Sequence, residues 1–458
     1  MYTDLTKGNI GKSLLLFALP MMAGNLLQQF YNIADTLIVG RVLGSEALAA
    51  VGSAYTLMTF LTSIFLGLSM GSGALFSIYQ GKGEKEGLRV TVLHAGVLIL
   101  GVTLLLNVAV YLGIDGILVF LKVPEEVYAG MREYLLVIFA GILATSLYNF
   151  FSCMLRALGN STVPLVFLAV SAGLNIALDL LFVMVFSLGI AGAALATVLA
   201  QYVSGIGITL YAWKCSREFL PGKAELHYDR GILKEIANLS TLTCLQQSVM
   251  NFGILMVQGL VNSFGSVIMA AFAAAVKIDT FAYLPVQDFG NAYSTFVAQN
   301  YGAGEKERIR KGTRQAFAIS GVFSLIISAL VYAGAPYLMR IFIRKSETEV
   351  LAAGVQYLRI EGACYIGIGF LFLLYGYYRA IKQAEMSLVL TVISLGLRVL
   401  LAYVLSAWVG VIGIWVAIPI GWALADLTGL VYMKKSKKLR KEKNRKYLYG
   451  KTGSYMIR

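Results

Sequence analysis

The residue that first suggests chemistry is Asp35, a carboxylate within the apolar run "LLLFALPMMAGNLLQQFYNIADTLIVG". A run of this length can cross a bilayer, and an ionised Asp at the centre of a membrane helix costs roughly 2.5–3.5 kcal/mol on insertion scales. Gln28 and Tyr31 precede Asp35 by seven and four residues, so a helix presents all three on one face. The first predicted helix therefore carries an acid at membrane depth that needs a function.

Three further predicted helices carry polar side chains at one-turn spacing or near an end. These side chains are Tyr148 and Asn149 in the fourth helix, Ser171, Asn175 and Asp179 in the fifth, and Thr197 and Gln201 in the sixth. Lipid offers no hydrogen-bond partners, so we expect these faces to converge with Asp35 inside a bundle. Two neighbouring carboxylates disfavour double ionisation, which favours proton sharing. The same oxygens also suit a hard cation such as sodium.

The composition is that of a membrane protein. Of 458 residues, 58% are hydrophobic and 14% are charged, and the mean hydropathy is +0.74. The two His and four scattered Cys lack the spacing of a zinc site or a disulfide framework. No nucleophile, base or metal constellation points to an enzyme, and we expect no cofactor besides a coupling ion, H+ or Na+. The net charge of +14 resides mainly in short loops and the tail "KKSKKLRKEKNRK", which indicates topology signals and contact with lipid rather than nucleic acid.

The elements that must position these side chains are twelve predicted transmembrane helices. Their apolar segments lie near 13–40, 48–79, 90–113, 128–149, 162–186, 189–212, 236–262, 266–299, 314–338, 350–378, 385–408 and 411–433. Basic residues concentrate in one set of alternate loops and at both termini. The positive-inside bias therefore predicts that both termini lie in the cytoplasm and that Lys122 and Arg344 lie outside. We expect an integral protein of the cytoplasmic (inner) membrane.

An internal repeat organises these helices. "LLQQ" at 26–29 returns as "CLQQ" at 244–247, and "QGKGEKE" at 80–86 returns as "YGAGEKE" at 301–307, with offsets of 218 to 223 throughout. Each half holds six helices, so the sequence predicts an all-α polytopic membrane protein of two six-helix lobes related by a pseudo-twofold axis along the membrane normal. The predicted domains are a first lobe at 1–214, a cytoplasmic inter-lobe loop at 215–234, a second lobe at 235–433 and a basic cytoplasmic tail at 434–458.

The repeat also supplies a control for the polar cluster. Asp35 aligns with Gly253, and Asp179 aligns with Ala402. If the first-lobe residues only joined helices, the second lobe should need similar residues at the aligned positions. It has none there, which favours a proton or cation site confined to the first lobe.

The second lobe has charges of its own at Lys277, Asp279, Asp288 and Arg398. One interpretation is that Lys277 neutralises an acid and the segment has only a packing role. The other is that these charges line the cleft between the lobes and shape substrate binding or gating. In the first lobe, Pro20 removes a helix hydrogen bond and predicts a bend, either static or a moving hinge.

Several stretches resemble one transporter family. "LPMMAGNLLQQFYNIADTLIVGRVLGSEALAAVG", "LRALGNSTVPL" and the "QGKGEKE"/"YGAGEKE" pair are similar to the multidrug and toxic compound extrusion (MATE) family, and the acid in the first helix with Asn and Asp in the fifth looks like its DinF-like prokaryotic branch. The resemblance implies a two-lobe exporter driven by inward movement of protons or sodium ions. The roles it implies are ion coordination by Asp35, Asn149, Asn175 and Thr197, an adjoining proton network at Asp179 and Tyr134, and a helix bend at Pro20. The acids of the NorM-like branch have no evident match in the seventh and tenth helices.

We therefore expect a monomeric antiporter that exports organic, cationic or amphipathic compounds by alternating access. Gln28, Tyr31 and Gln201 are further candidates for the substrate cavity. The alternative function is a lipid-linked precursor flippase of the same superfamily, which would be expected to have a more strongly basic cavity and often extra helices.

Overall fold

The computed structural model describes residues 3–120, 123 and 125–452, and all regular structure within that part of the chain is helical. Lys122 lies outside the described residues, as do residues 453–458 of the tail. The helices are α1 (Ile10–Val42), α2 (Ser45–Lys82), α3 (Lys85–Phe120), α4 (Glu125–Ile138), α5 (Ile142–Ala157), α6 (Thr162–Asp179), α7 (Gly189–Cys215), α8 (Arg230–Asn262), α9 (Ser266–Gly302), α10 (Lys306–Phe342), α11 (Thr348–Gly362), α12 (Tyr365–Ala380), α13 (Ala384–Thr391), α14 (Arg398–Val409) and α15 (Val411–Thr452).

These helices form the predicted membrane spans. Within the described residues, 11 spans are long and apolar enough to cross a bilayer, and α11 with α12, bent by 51° at their junction, makes a twelfth. The fourth span joins α4 and α5 through a single 3₁₀ turn. The fifth ends in a π-helical segment, Leu180–Val185, and the eleventh contains another, Val392–Leu397. Such segments often mark functional sites, and here they adjoin Asp179 and Arg398.

The repeat is visible in how the helices begin and end. Asn9 caps α1 by accepting from the Lys12 N–H at 3.0 Å, and Asp229 caps α8 by accepting from the Ile232 N–H at 3.0 Å. In the repeated "GxGE" motif, the second glycine follows the helix in the left-handed region, with φ of 73° at Gly83 and 77° at Gly304. The same local chemistry therefore builds both halves, which is why the sequence repeat predicts two lobes correctly.

The lobes are packed together at the end where α1, α3 and α8 begin, called the inner end below. The first glycine of each "GxGE" motif, Gly81 on α2 and Gly302 on α9, lies against the backbone of the other helix, and an added Cβ would overlap the Gln299 or Ile78 carbonyl group. Further along α2, Ser72 hydrogen bonds to Ser240 of α8 at 3.0 Å. Close backbone contact between the lobes thus explains the repeated glycines.

An N-terminal segment, residues 3–9, crosses the same end and contacts both lobes. In the first lobe, the Thr3 N–H donates to the Gly159 carbonyl at 3.0 Å. In the second, Leu5 is completely buried and its carbonyl accepts from Asn300 Nδ2 at 3.1 Å. Arg308 donates to three carbonyl groups of the segment, those of Leu5 at 3.2 Å, Lys7 at 2.5 Å and Gly8 at 2.8 Å. The segment therefore connects the two lobes at the inner end.

Candidate functional site

Two adjoining cavities lie between the lobes. The outer cavity has a volume of about 480 Å³, and the inner cavity, nearer the inner end, about 250 Å³. Asn25, Gln28, Tyr31 and Gln201 line both, so the two cavities adjoin along these residues. The predicted substrate-cavity residues Gln28, Tyr31 and Gln201 therefore lie at the junction of the two cavities.

The first-lobe carboxylates lie where the helical spacing predicts, beside the outer cavity. Asp35 lines the cavity, whereas Asp179 is fully buried behind it. The two carboxyl groups are close enough to hydrogen bond to each other when one carries a proton. Tyr134 and Tyr31 surround the pair, since Tyr134 lies within electrostatic range of both acids and Tyr31 of Asp35.

Several oxygen atoms of this cluster accept no hydrogen bond from the described part of the chain. Among the described residues, Asp35 Oδ1, both Asp179 carboxylate oxygens and Asn175 Oδ1 are buried without a hydrogen-bond partner. Asn175 Nδ2 donates to Thr197 Oγ1 at 3.2 Å, which turns the free amide oxygen away from that hydroxyl. Buried acceptors without donors carry a desolvation cost of about 1–3 kcal/mol each. A proton or a cation bound among them would remove that cost.

Asn149 is placed differently from the other predicted ion ligands. Its amide donates to the Thr145 carbonyl one turn earlier, at 2.9 Å, and it lines the inner cavity rather than the outer one.

Pro20 lies within α1, which remains one continuous helix from Ile10 to Val42. A helix break at Pro20 is therefore absent, and a moving hinge there stays a prediction.

The second lobe contributes its own buried acids to the outer cavity. Asp279 and Glu361 both line it and are 2% and 6% exposed. Tyr365 donates to Asp279, and Tyr357 lies within hydrogen-bonding range of both acids. Arg398 lies within electrostatic range of Glu361, so its positive charge partly balances that carboxyl group. The predicted cleft location of Asp279 and Arg398 agrees with this arrangement.

Two expectations about this lobe are wrong. Lys277 does not line the cleft: it is exposed on the outer face of α9, because a separation of two residues turns it about 200° from Asp279. The tenth span does carry an acid, Glu361, which the sequence comparison missed. Glu361 lies at the last turn of α11, beside the bend before α12, where the apolar pattern is interrupted. Buried acids therefore occur in both lobes, although at different positions of the repeat.

Asp288, the remaining second-lobe candidate, lies in the inner cavity rather than beside Asp279. Its Oδ1 accepts from Asn25 Nδ2 of α1 at 2.5 Å. This hydrogen bond joins the two lobes, and sequence reasoning did not single out Asn25.

No group of three or more His, Cys, Asp or Glu side chains able to hold a metal ion occurs among the described residues. A sodium ion in the first lobe would therefore need amide and hydroxyl oxygens in addition to the carboxylates of Asp35 and Asp179.

Comparisons with known proteins give the same picture. The MatE family model matches residues 20–181 and again 242–404, one match in each lobe. The chain is 33% identical to "Probable multidrug resistance protein YpnP" of Bacillus subtilis, over 94% of this chain and 96% of that protein. It is 25% identical to "Probable multidrug resistance protein NorM" of Thermotoga maritima, over 89% and 88% of the two chains.

Its fold also matches solved structures. A crystal structure described as MATE in complex with MaL6 superposes with a TM-score of 0.90 at 24% identity, covering 96% of this chain and 98% of that one. These relatives are twelve-helix, two-lobe membrane transporters, which confirms the predicted fold and the resemblance. The protein belongs to the MatE family, the multidrug and toxic compound extrusion transporters.

Proposed function

We propose that the protein is a proton-coupled antiporter that exports organic cations and amphipathic compounds by alternating access. The observation that carries this proposal is the pair of carboxyl groups at half-buried Asp35 and fully buried Asp179. Asp35 Oδ1 and both Asp179 oxygens lack donors among the described residues. Asp35 faces the outer cavity, and Asp179 lies behind it. A proton that enters from the cavity is held at Asp35 and shared with Asp179.

The second-lobe acids give the cavity its affinity for cations. Asp279 and Glu361 line the outer cavity together with Asp35, and Arg398 is the one basic side chain among the described residues that line it. An organic cation is attracted to these carboxylates and stacks on aromatic side chains such as Tyr283 and Phe372. Protonation of the Asp35–Asp179 pair removes negative charge from the same cavity, so proton and substrate binding oppose each other.

Closure at the inner end supports the alternating-access part of the proposal. The backbone contacts at Gly81 and Gly302 and the N-terminal segment seal that end, while the outer cavity lies beyond the seal. Export requires these contacts to break so that the cavity opens at the inner end. We place the inner end in the cytoplasm, since the basic loops and both termini lie there.

Purified protein in liposomes provides the test. Rhodamine 123, a permanently cationic dye, is loaded, and a pH gradient or a sodium gradient is imposed separately at zero membrane potential. The proposal expects dye movement driven by the pH gradient without sodium. Movement that requires sodium and ignores pH contradicts the proton assignment, and absence of movement under either gradient contradicts the antiporter.

The lipid flippase is not favoured, because the relatives named above are described as multidrug resistance proteins.

A further inference from the structure

The inner cavity differs from the outer cavity in the sign of its charge. Arg156 and Arg379 both line it, with Asp288 as the carboxylate among its lining residues. The outer cavity contains Asp35, Asp279 and Glu361 against Arg398. The cleft therefore has an acidic outer part and a basic inner part.

The two arginines are equivalent positions of the repeat. Arg156 occurs in "MLRALGN" and Arg379 in "YYRAIKQ", an offset of 223, and each lies in the last turn of its helix, α5 and α12. A basic residue at a helix C-terminus is usually a solvated side chain that complements the helix dipole. Here the side chains turn inward instead: Arg379 is only 5% exposed, and Arg156 Nε is buried. Both lie within electrostatic range of Cys153 in the cavity wall.

Their hydrogen-bonding capacity is largely unused. A guanidinium group has five N–H donors. Arg379 donates from Nη2 to Asn291 Oδ1 at 3.0 Å, whereas Arg156 Nε has no acceptor among the described residues. Asp288 does not pair directly with either arginine, although it lies within electrostatic range of Arg156, and its Oδ2 is likewise buried without a donor. Buried Arg379 and half-buried Arg156, set against the single carboxylate of Asp288, leave a net positive charge that an anion would neutralise.

We infer that the inner cavity is an anion-binding subsite that receives a carboxylate of the transported molecule. This inference rests on the proposed export function and extends its substrate class to zwitterions, with the cationic group in the outer cavity. The guanidinium fork matches a carboxylate in two parallel hydrogen bonds. Ser152 Oγ, also buried without a partner, offers a further donor in the same wall. The two cavities adjoin along Gln28, Tyr31 and Gln201, so a molecule that spans this junction contacts both parts.

The test uses two dyes that differ by one methyl group. Rhodamine 110 carries a free carboxylate, and rhodamine 123 is its methyl ester. Binding of each to the purified full-length protein in detergent is measured by fluorescence anisotropy. Because a hydrogen bond to a charged group contributes about 1.5–3 kcal/mol, we expect the acid to bind at least about tenfold more tightly than the ester.

Substitutions locate the preference. Arg156→Gln and Arg379→Gln should each reduce it to near unity, and Arg156→Lys should retain part of it. Arg310→Gln removes an equal charge at an exposed position of α10 and should leave it unchanged. Asp288→Asn should increase it, a gain that misfolding cannot mimic. Equal binding of the two dyes by the unmodified protein, or a preference that survives in both glutamine variants, overturns the subsite. These measurements need no gradient, so failure of the antiporter shows in the liposome assay and failure of the subsite shows here.

Discussion

The strongest prediction concerns Asp35→Asn, which removes the carboxylate that faces the outer cavity and leaves Asp179 buried without its acidic partner. An amide cannot take up a proton at neutral pH, so the variant should bind dye but no longer couple its movement to pH. Each proton exchanged per molecule contributes about 1.4 kcal/mol per pH unit, a factor of about ten in the steady-state concentration ratio. The expected slope is therefore about tenfold per pH unit and per proton for the unmodified protein, and zero for Asp35→Asn.

The assay is the steady-state rhodamine 123 ratio across proteoliposomes, measured at several pH gradients with the membrane potential clamped. Asp426→Asn is the matched control. It makes the same chemical change at another buried membrane acid, 8% exposed, that lies outside both cavities. That variant should keep the full slope. The reasoning is refuted if Asp35→Asn keeps a slope of about ten per pH unit, or if Asp426→Asn loses the slope to the same extent at equal reconstitution.

Three further predictions concern topology and closure of the inner end. The native thiol at Cys215, exposed at the C-terminal end of α7, should resist a membrane-impermeant maleimide in intact cells, whereas a cysteine introduced at Arg344 should react. The reverse pattern contradicts the topology. Arg308→Gln removes three hydrogen bonds to the N-terminal segment. Because a hydrogen bond from a charged group contributes about 1.5–3 kcal/mol, tryptic cleavage within the segment should accelerate at least about tenfold. An unchanged cleavage rate means that other contacts hold the segment. Gly81→Ala should disfavour the closed inner end, since overpacking costs roughly 1–3 kcal/mol, and should therefore slow dye export. Gly52→Ala, which has open space around the added methyl group, should leave the export rate unchanged. Equal export rates in the two variants exclude a close contact at Gly81.

The sequence predicts the fold well because its signals are strong and local. Spanning length, alternation of basic loops and a repeat with constant offset each depend on a few neighbouring residues, and the lipid environment leaves helices as the main solution. The meeting of Asp35, Asp179, Asn175 and Thr197 is also predictable, because a polar face on a membrane helix must find another polar face.

What the sequence does not predict depends on geometry at helix irregularities. The bend between α11 and α12 interrupts the helical periodicity from which the position of Glu361 could have been predicted. The π-helical segment before Arg398 likewise changes the direction in which the following side chains point. Lys277 shows the opposite error: nearness in sequence to Asp279 suggested a shared location, although helical geometry separates their faces. The contact between Asn25 and Asp288 joins residues 263 positions apart, and no local pattern indicates it.

The central claim, that substrate and proton compete for the carboxyl groups around Asp35, is tested most directly by proton release on binding. Purified protein in weakly buffered detergent solution is mixed with rhodamine 123, and a pH indicator reports the protons released. The account predicts release in proportion to bound dye for the unmodified protein, and none for Asp35→Asn, although that variant still binds dye. Dye binding without proton release in the unmodified protein, or equal release in Asp35→Asn, would contradict it.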